Sequence, residues 1–266
     1  MNELASKQTP AASLLSVKDR VVIVTGGGKG IGKVYSERLA EAGARVVVAD
    51  IDETATASTV TGITNAGGKA FAQPTDVSDP DSAARMAAAA IQAFGRIDAL
   101  INNASLMAVL PRRPFSEIPI EEWDRVMQVN LRGVFICCRA VFPQMQKQGK
   151  GKIVNISSGR VFEGTPNRLH YTTSKAGVIG LTRALATELG DYNIAVNAIT
   201  PGFTLSDSQL ATAGAYLQRN DHLEGRVFKR HQVPDDLVGT VMFLISDASD
   251  FITGQTINVD GGKNKH

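Results

Sequence analysis

A tyrosine and a lysine lie four residues apart in the segment LHYTTSK, residues 169–175. On a helix, this spacing places the side chains of Tyr171 and Lys175 on one face. A free phenol has a pKa of about 10, too high for ready proton exchange at neutral pH. An ammonium about 5 Å away, at an effective dielectric constant of about 20, favours the phenolate by about 3 kcal/mol, or roughly two pKa units. The pair is therefore a candidate acid–base unit that exchanges a proton with an alcohol.

The surroundings of this pair favour a cleft over a solvent-exposed corner of a helix. Lysine ordinarily avoids a buried face, so its presence there indicates a function. Ser158 follows the predicted strand IVNIS and could hydrogen-bond the same substrate oxygen as Tyr171. The residues that continue the face of Tyr171 and Lys175 are Val178, Thr182, Leu185 and Leu189.

A second candidate is Asn130, which falls inside the apolar stripe of a helix predicted from about Ile120. A carboxamide on such a face must find hydrogen-bond partners or it costs about 1–3 kcal/mol. Asn130 is therefore either a structural residue with partners in the core or a residue that shapes an interior chain of water molecules. The stripe, with spacings of three and four, consists of Trp123, Val126, Met127, Leu131, Val134 and Phe135.

The segment TGGGKGIG, residues 25–32, follows the first predicted strand and opens the first predicted helix. Glycines let the backbone turn sharply and approach a pyrophosphate, whose charge a helix N-terminus favours. Asp50 ends the second predicted strand, where a carboxylate accepts hydrogen bonds from the adenosine ribose and repels a 2′-phosphate. This position favours NAD, although Asp50 could instead be a turn residue. Lys29 mildly favours NADP, because a cation can bind a 2′-phosphate.

The elements that must position these residues alternate along the chain. Several β-branched runs are apolar on both faces, which is typical of a parallel sheet covered by helices. Parallel neighbours need crossover helices, so the alternation predicts one doubly wound α/β domain. The predicted strands are VVIVT (21–25), RVVVAD (45–50), KAFAQ (69–73), DALINN (98–103), KIVNIS (152–157), IAVNAI (194–199) and TINVD (256–260).

Two peripheral segments stand apart from this pattern. Residues 1–17 are polar and are expected to form a mobile extension of a domain that spans 18–266. They lack the apolar core of a signal peptide, and no apolar run of about 18 residues occurs, so we expect a cytoplasmic protein without a membrane partner. The segment of about 203–232 has interrupted periodicity and predicts a substrate loop or lid.

Composition argues against several other classes of function. The 266-residue chain is 43% hydrophobic and 20% charged, which is ordinary for a protein with a sizeable core. Its net charge of +2 and scattered basic residues argue against a nucleic-acid partner. Cys137 and Cys138 are adjacent, and we expect two buried thiols rather than a disulfide or a metal site. No metal is expected.

The order of the motifs resembles that of the short-chain dehydrogenase/reductase family in its compact form, from about Val21 to Gly262. This resemblance implies a single-domain Rossmann fold with a seven-stranded, mostly parallel sheet and helices on both faces. It also implies a homotetramer in which the helices Trp123–Phe135 and Tyr171–Leu189 pack against partners. The motifs are TGGGKGIG, Asp50, Asp76-Val77, NNAS (102–105), Asn130, IVNISS, YTTSK, the Pro-Gly pair at 201–202 and ITGQTINVDGG.

The resemblance assigns Tyr171 as the general acid/base and Lys175 as the residue that lowers its pKa and binds the nicotinamide ribose. Ser158, rather than Ser157, would orient the substrate oxygen, and Asn130 would hold a water molecule of a proton relay. The residues that would bind NAD, with NADP as the alternative, are Gly26, Gly30, Ile31, Gly32, Asp50, Ile51, Asp76, Val77, Asn103, Tyr171, Lys175, Pro201, Gly202 and Ser206.

Two positions depart from the family pattern. Ser105 stands where the family usually has the glycine of Asn-Asn-Ala-Gly, and its extra atoms could narrow the space beside the cofactor or add a donor. Ser206 stands where the family often has a threonine that contacts the nicotinamide carboxamide. Neither change is expected to abolish cofactor binding.

These assignments imply an NAD(P)-dependent oxidoreductase that interconverts an alcohol and its ketone or aldehyde by hydride transfer. The apolar pocket candidates suit a cyclic or aromatic secondary alcohol, and the chain resembles the branch of the family that oxidises such alcohols. Arg160, Arg168 and His170 are either contacts for a polar or anionic small-molecule substrate or exposed and interface residues. The pocket candidates are Met107, Phe162 and Phe203, together with Val109, Val161 and Tyr216.

Two alternative functions remain open. A 3-oxoacyl thioester reductase would use NADPH, which Lys29 permits, whereas Asp50 and the lack of a basic patch for an acidic carrier protein argue against it. A non-catalytic dinucleotide-binding sensor would be expected to have lost one of the four catalytic side chains. All four are present in this sequence.

Overall fold

The computed structural model describes residues 10–210 and 223–265, without the side chains of residues 11 and 12. Within these ranges the chain forms one seven-stranded sheet in the order β3-β2-β1-β4-β5-β6-β7, and all six neighbouring pairs are parallel. The strands are β1 (Val21–Thr25), β2 (Arg45–Asp50), β3 (Lys69–Pro74), β4 (Ala99–Asn102), β5 (Gly151–Ile156), β6 (Ile194–Pro201) and β7 (Thr256–Val259).

Helices cover both faces of this sheet. The prediction of a doubly wound α/β domain of the Rossmann type is confirmed, and every predicted strand lies within two residues of its expected ends. The helices are α1 (Ala11–Leu14), α2 (Gly30–Glu41), α3 (Glu53–Asn65), α4 (Pro80–Phe94), α5 (Ile120–Met127), α6 (Gly133–Gln148), α7 (Arg160–Glu163), α8 (Leu169–Glu188) and α9 (Asp235–Ile245).

Each face of the sheet carries its own hydrophobic core, because successive strand side chains point to opposite faces. In β1, Ile23 belongs to the core shared with α4, α6 and α8, which also contains Cys137 and Cys138. Its neighbours Val22 and Val24 belong to the core shared with α2, α3 and α9. Burial on both faces explains why β1 is apolar at nearly every position.

The strand order reverses between β1 and β4, which are neighbours in the sheet. The chain first runs outward to β3 and then returns to β4 on the other side of β1. Open α/β sheets bind ligands in the crevice at the carboxyl ends of such strands. The fold therefore places the glycine-rich turn after β1 beside the loop that follows β4.

The two peripheral segments lie partly outside the described residues, which exclude 1–9 and 211–222. At the N-terminus, Val17 is already buried in the core. The ends of the predicted substrate loop are joined, because Thr204 and Gln232 form an isolated parallel bridge. Among the described residues, no helix combines the length and apolar character needed to cross a membrane.

Candidate active site

A cleft of about 410 Å³ connects the glycine-rich turn after β1 with the start of α8. It brings most of the predicted cofactor residues and three of the four predicted catalytic residues into one cavity. Gly32 and Asn130 are not part of its described lining. The predicted residues that line it are Gly26, Gly30, Ile31, Asp50, Ile51, Asp76, Val77, Asn103, Met107, Ser158, Tyr171, Lys175, Pro201, Gly202, Phe203 and Ser206.

Ser158 and Tyr171 meet where the carboxyl end of β5 faces the first turn of α8. The hydroxyl of Ser158 is hydrogen-bonded to the phenol of Tyr171, and both residues are largely buried in the wall of the cleft. Ser157 has a different partner, because its hydroxyl donates a 2.7 Å hydrogen bond to the carbonyl oxygen of Lys175. Ser157 therefore anchors α8 to β5, and Ser158 is the partner of Tyr171.

Lys175 lies one helical turn after Tyr171, with its Nζ 5.9 Å from the centroid of the tyrosine ring. The same Nζ donates a 2.7 Å hydrogen bond to the carbonyl oxygen of Ile156 at the end of β5. Burial lowers the pKa of Lys175 to about 7. Its side chain therefore changes charge near neutral pH.

The pKa of Tyr171 departs from the expectation based on spacing. Burial raises it, while the hydrogen bond with Ser158 and the positive charges of Arg160 and Arg168 act in the opposite direction. The expectation that Lys175 lowers this pKa by roughly two units is wrong for this structure. The free-energy cost of removing the phenolate from water is larger than the gain from these favourable contacts. Burial also favours the neutral form of Lys175, which weakens its effect on the phenol.

Asn130 lies in a π-helical turn, Gln128–Arg132, between α5 and α6. Its Oδ1 accepts a 2.7 Å hydrogen bond from the amide of Leu106, and its Nδ2 donates to the Leu106 carbonyl at 3.1 Å and to Ser174 Oγ at 3.2 Å. Both N–H groups of the carboxamide are thus used by protein atoms. In this structure, Asn130 holds the loop after β4 against α8.

The glycine-rich turn is packed too closely to accept side chains at Gly26, Gly27 and Gly32. Gly26 has a φ of +62°, and a Cβ on Gly32 would lie 2.0 Å from the Gly26 carbonyl oxygen. Asn103 Nδ2 donates 3.1 Å hydrogen bonds to the carbonyl oxygens of both Thr25 and Gly26. Asn103 therefore ties the loop after β4 to this turn, which leaves a backbone-lined cradle at the start of α2 suited to a pyrophosphate.

Two carboxylates lie at the end of β2. Asp50 accepts 3.0 Å hydrogen bonds from the amides of Gly28 and Asp52. The ammonium of Lys29 contacts the Asp52 carboxylate, and the hydrogen bond to Asp52 is the main cause that raises the pKa of Lys29. The cation in the glycine-rich turn is therefore paired with an acid of this chain.

The remaining cofactor candidates come from the loops after β3 and β6. Asp76 accepts hydrogen bonds from the amide and hydroxyl of Ser78, at 2.8 and 2.7 Å, which shapes the loop after β3. On the opposite wall, a Cβ on Gly30 would lie 3.4 Å from Ser206 Oγ. The loop after β6 therefore closes over the start of α2.

Residues 20–214 match a family model described as short chain dehydrogenase. The chain belongs to the short-chain dehydrogenase family. It is an oxidoreductase of a family whose members bind NAD or NADP, and the match extends from the residue before β1 into the predicted substrate loop.

Similar proteins of this family cover almost the whole chain. The (2S)-[(R)-hydroxy(phenyl)methyl]succinyl-CoA dehydrogenase subunit BbsD of Thauera aromatica is 37% identical over 251 residues, covering 94% of this chain and 98% of that protein. A 7α-hydroxysteroid dehydrogenase complexed with NADH and 7-oxo glycochenodeoxycholic acid has a TM-score of 0.86 and 34% identity, over 94% of this chain and 96% of that one. A Beutenbergia cavernae structure with NADP at low occupancy also has a TM-score of 0.86 and 34% identity, over 94% and 98%.

One substrate residue predicted for this short-chain dehydrogenase does not reach the cleft. In α7, Arg160 and Glu163 line the cavity, whereas Phe162 is not part of its described lining and is 39% exposed. Residues three apart share a helix face, so Arg160 and Glu163 point the same way and Phe162 lies on another side. The assignment of Phe162 as a substrate contact therefore stays a prediction that the described cleft lining does not support.

The other pocket candidates fall into three groups. Met107 and Phe203 line the cleft. Val109 and Val161 are not among the described lining residues, and Val109 is largely exposed. Tyr216 lies outside the described residues.

Three polar residues on or near α8 also take different positions. Arg160 and Arg168 line the cleft, but His170 is fully buried with its Nε2 3.1 Å from Glu122 Oε1. Lys263, which was not among the predicted site residues, lines the cleft from the C-terminal segment. No local pattern marks Lys263, because only the sheet brings the chain after β7 beside the end of β5.

Proposed function

We propose that this chain is an NAD-dependent oxidoreductase that interconverts a secondary alcohol, cyclic or aromatic, and its ketone. The observation that carries the proposal is the hydrogen-bonded pair of Ser158 and Tyr171, with Lys175 beside it, in one cleft with the glycine-rich turn. When bound, the nicotinamide supplies hydride transfer to and from the substrate carbon. The cradle at Gly26 and the carboxylate of Asp50 would hold its nucleotide part.

In the direction of alcohol oxidation, Tyr171 acts in its phenolate form and accepts the hydroxyl proton of the substrate. In ketone reduction, Tyr171 returns this proton to the oxygen. Ser158 donates a hydrogen bond to the same oxygen and keeps it beside the phenol. Because burial raises the pKa of Tyr171, the phenol is the resting form at neutral pH, ready to act as the acid of ketone reduction.

The preference for NAD rests on the end of β2. Asp50 is placed to accept hydrogen bonds from ribose hydroxyls and to repel a 2′-phosphate. Lys29, the cation that would favour NADP, contacts Asp52 instead. Asp50 and Asp52 carry two negative charges here, and the ammonium of Lys29 is already paired with Asp52. The 2′-phosphate of NADP would therefore be repelled at this end of the cleft.

The class of substrate is inferred from apolar groups near Tyr171. Leu106, Met107, Ala108 and Phe203 line the cleft, and Met107 packs against the small apolar cluster that contains Tyr171. Their side chains suit a ring more than a short polar chain. The printed substrates of the Thauera and hydroxysteroid enzymes, a phenyl carbinol and a steroid ketone, support the same class.

We also propose that the chain forms a homotetramer through α5, α6 and α8. Phe135 and Leu169, on α6 and α8, are 48% and 47% exposed, which is unfavourable unless a partner covers them. Light scattering coupled to size-exclusion chromatography should give four times the chain mass of 28.3 kDa. A monomer would contradict this assembly.

The function is tested by a matrix of two cofactors and a graded set of alcohols and ketones. Purified protein should change the nicotinamide absorbance with NAD or NADH and with cyclic or aromatic secondary alcohols or their ketones. Activity only with NADPH and 3-oxoacyl thioesters would instead identify a thioester reductase. Cofactor binding without turnover on any member of the panel would indicate a dinucleotide sensor.

A further inference from the structure

The substrate end of the cleft carries an excess of positive charge among its described residues. Arg160, Arg168 and Lys263 line it, together with a single acid, Glu163. The other two described carboxylates of the cleft lie at the nucleotide end, where Asp50 ends β2 and Asp76 follows β3. We propose that the substrate bears a carboxylate in addition to its alcohol or ketone, and that Arg160 and Arg168 bind it. This inference rests on the proposed oxidoreductase function.

Both arginines lie beside the reacting groups. Arg160 follows Ser158 by two residues, and Arg168 precedes Tyr171 by three. Their positive charges each act on the phenol of Tyr171. A carboxylate attached to the substrate ring can therefore reach the arginines while the alcohol or ketone oxygen of the same ring contacts Ser158 and Tyr171.

The contacts of the two guanidinium groups hold them in place before a substrate binds. Arg168, only 9% exposed, donates from Nη2 to the carbonyl oxygen of Leu110 at 2.9 Å and from Nη1 to Met107 Sδ at 3.1 Å. Arg160 Nη2 donates to the carbonyl oxygens of Thr165 and Pro166 at 3.1 and 3.0 Å. Pre-positioned guanidinium groups suit a carboxylate because they match its planar geometry.

The single acid at this end does not oppose an anionic substrate strongly. Glu163 Oε2 lies 3.3 Å from Lys263 Nζ, so its charge is balanced by a lysine. Asp260 holds that lysine in position by accepting hydrogen bonds from the amides of Gly262, Lys263 and Asn264. Counted over the described residues, the substrate end thus has a net positive charge, and a cleft strengthens the resulting field.

The test compares two ketones of equal size: a cyclohexanone carboxylate and the corresponding carboxamide. With NADH, kcat/KM should be at least about 10-fold higher for the carboxylate, as expected for a charge-assisted hydrogen bond. Added salt should lower kcat/KM for the carboxylate and leave that for the carboxamide unchanged. Calorimetry of the NAD-saturated protein should likewise show tighter binding of cyclohexanecarboxylate than of cyclohexanecarboxamide.

Variants then identify the arginine that carries the preference. Arg160→Gln should reduce the carboxylate-to-carboxamide ratio of kcat/KM by about 10-fold, and Arg160→Lys should keep most of it. The ratio is the readout because Arg160 also acts on Tyr171, which affects both substrates alike. Arg85→Gln, an exposed arginine on α4, should keep the wild-type ratio.

Failure of this inference is distinct from failure of the proposed function. Reduction of both ketones with equal kcat/KM would overturn the carboxylate site while the oxidoreductase function stands. Tighter carboxylate binding in calorimetry without turnover of either ketone would contradict the proposed function and leave the anion site supported. Equal binding of the two ring compounds would overturn the anion site whatever the kinetics.

Discussion

Asn130 binds both backbone polar groups of Leu106. Its Oδ1 accepts from the Leu106 amide at 2.7 Å, and its Nδ2 donates to the Leu106 carbonyl at 3.1 Å. This clasp joins the π-helical turn between α5 and α6 to the loop after β4. Because Leu106 lines the cleft, the buried side chain of Asn130 determines the position of this part of the cleft wall.

Asn130→Ala should lower the free energy of unfolding by about 1–3 kcal/mol, since it leaves buried groups of Leu106 without partners. Urea unfolding measures the change. Asn65→Ala, at the exposed end of α3, is the matched control and should change stability by less than about 0.5 kcal/mol. Equal effects of the two substitutions would show that the clasp contributes nothing.

Sequence periodicity predicted the strands well and missed this π-helical turn. Short apolar runs such as those of β1 and β2 are readily predicted as strands, because a strand at the centre of a covered sheet must be apolar on both faces. A π-helical turn holds more residues than an α-helical turn, so it shifts every later side chain around the axis. The α-helical periodicity consequently predicted that Val134 and Phe135 lie on the same apolar face. In the structure, Val134 is buried and Phe135 is exposed.

Gly32→Ala should weaken NAD binding and destabilise the fold, because its Cβ would overlap the carbonyl oxygen of Gly26. Gly62→Ala is the opposite case, since a Cβ there meets no atom within 4 Å and the residue is in the interior of α3. That variant should gain about 0.5–1 kcal/mol of stability. Thermal unfolding and NAD titration of both variants check the pair. A Gly32→Ala variant with unchanged NAD affinity would argue against the cradle.

Asp52→Asn should raise the NADP-to-NAD ratio of kcat/KM by up to about 5-fold, the scale of one exposed ion pair. The substitution releases Lys29 from its contact with Asp52 and lets it face a 2′-phosphate. Asp50→Ser should raise the ratio by about 10-fold or more, because it removes the direct repulsion. Asp81→Asn, an exposed acid on α4, is the control and should leave the ratio unchanged. A ratio that does not move in Asp50→Ser would contradict the assignment of Asp50.

Lys175→Met should stabilise the fold more at pH 6 than at pH 10. Burial lowers the pKa of Lys175 from 10.5 to about 7. Between pH 7 and pH 10.5, this side chain is therefore protonated in the unfolded chain and largely neutral in the folded chain. Wild-type stability therefore rises with pH in this window relative to the variant, and the advantage of Met shrinks. Urea unfolding at several pH values measures the difference, and a pH-independent difference would contradict the lowered pKa.

The candidate catalytic residues could be proposed from sequence because each lies at a set place on or next to an element. Ser158 follows β5 by two residues, and Tyr171 and Lys175 share a face of α8. The pKa of Tyr171 could not be derived in this way, since burial depends on the whole fold and outweighs the local charge. Lys263 was missed for a related reason: its place in the cleft depends on contacts far apart in the sequence.

Tyr171→Phe tests most directly whether Tyr171 transfers the proton. With the best substrate of the activity matrix, kcat should fall by about 100-fold or more while NAD affinity stays within about 2-fold. Tyr192→Phe, which removes a hydroxyl from a ring packed on Phe142 outside the described cleft lining, should retain wild-type kcat. A Tyr171→Phe variant with wild-type kcat would contradict the account.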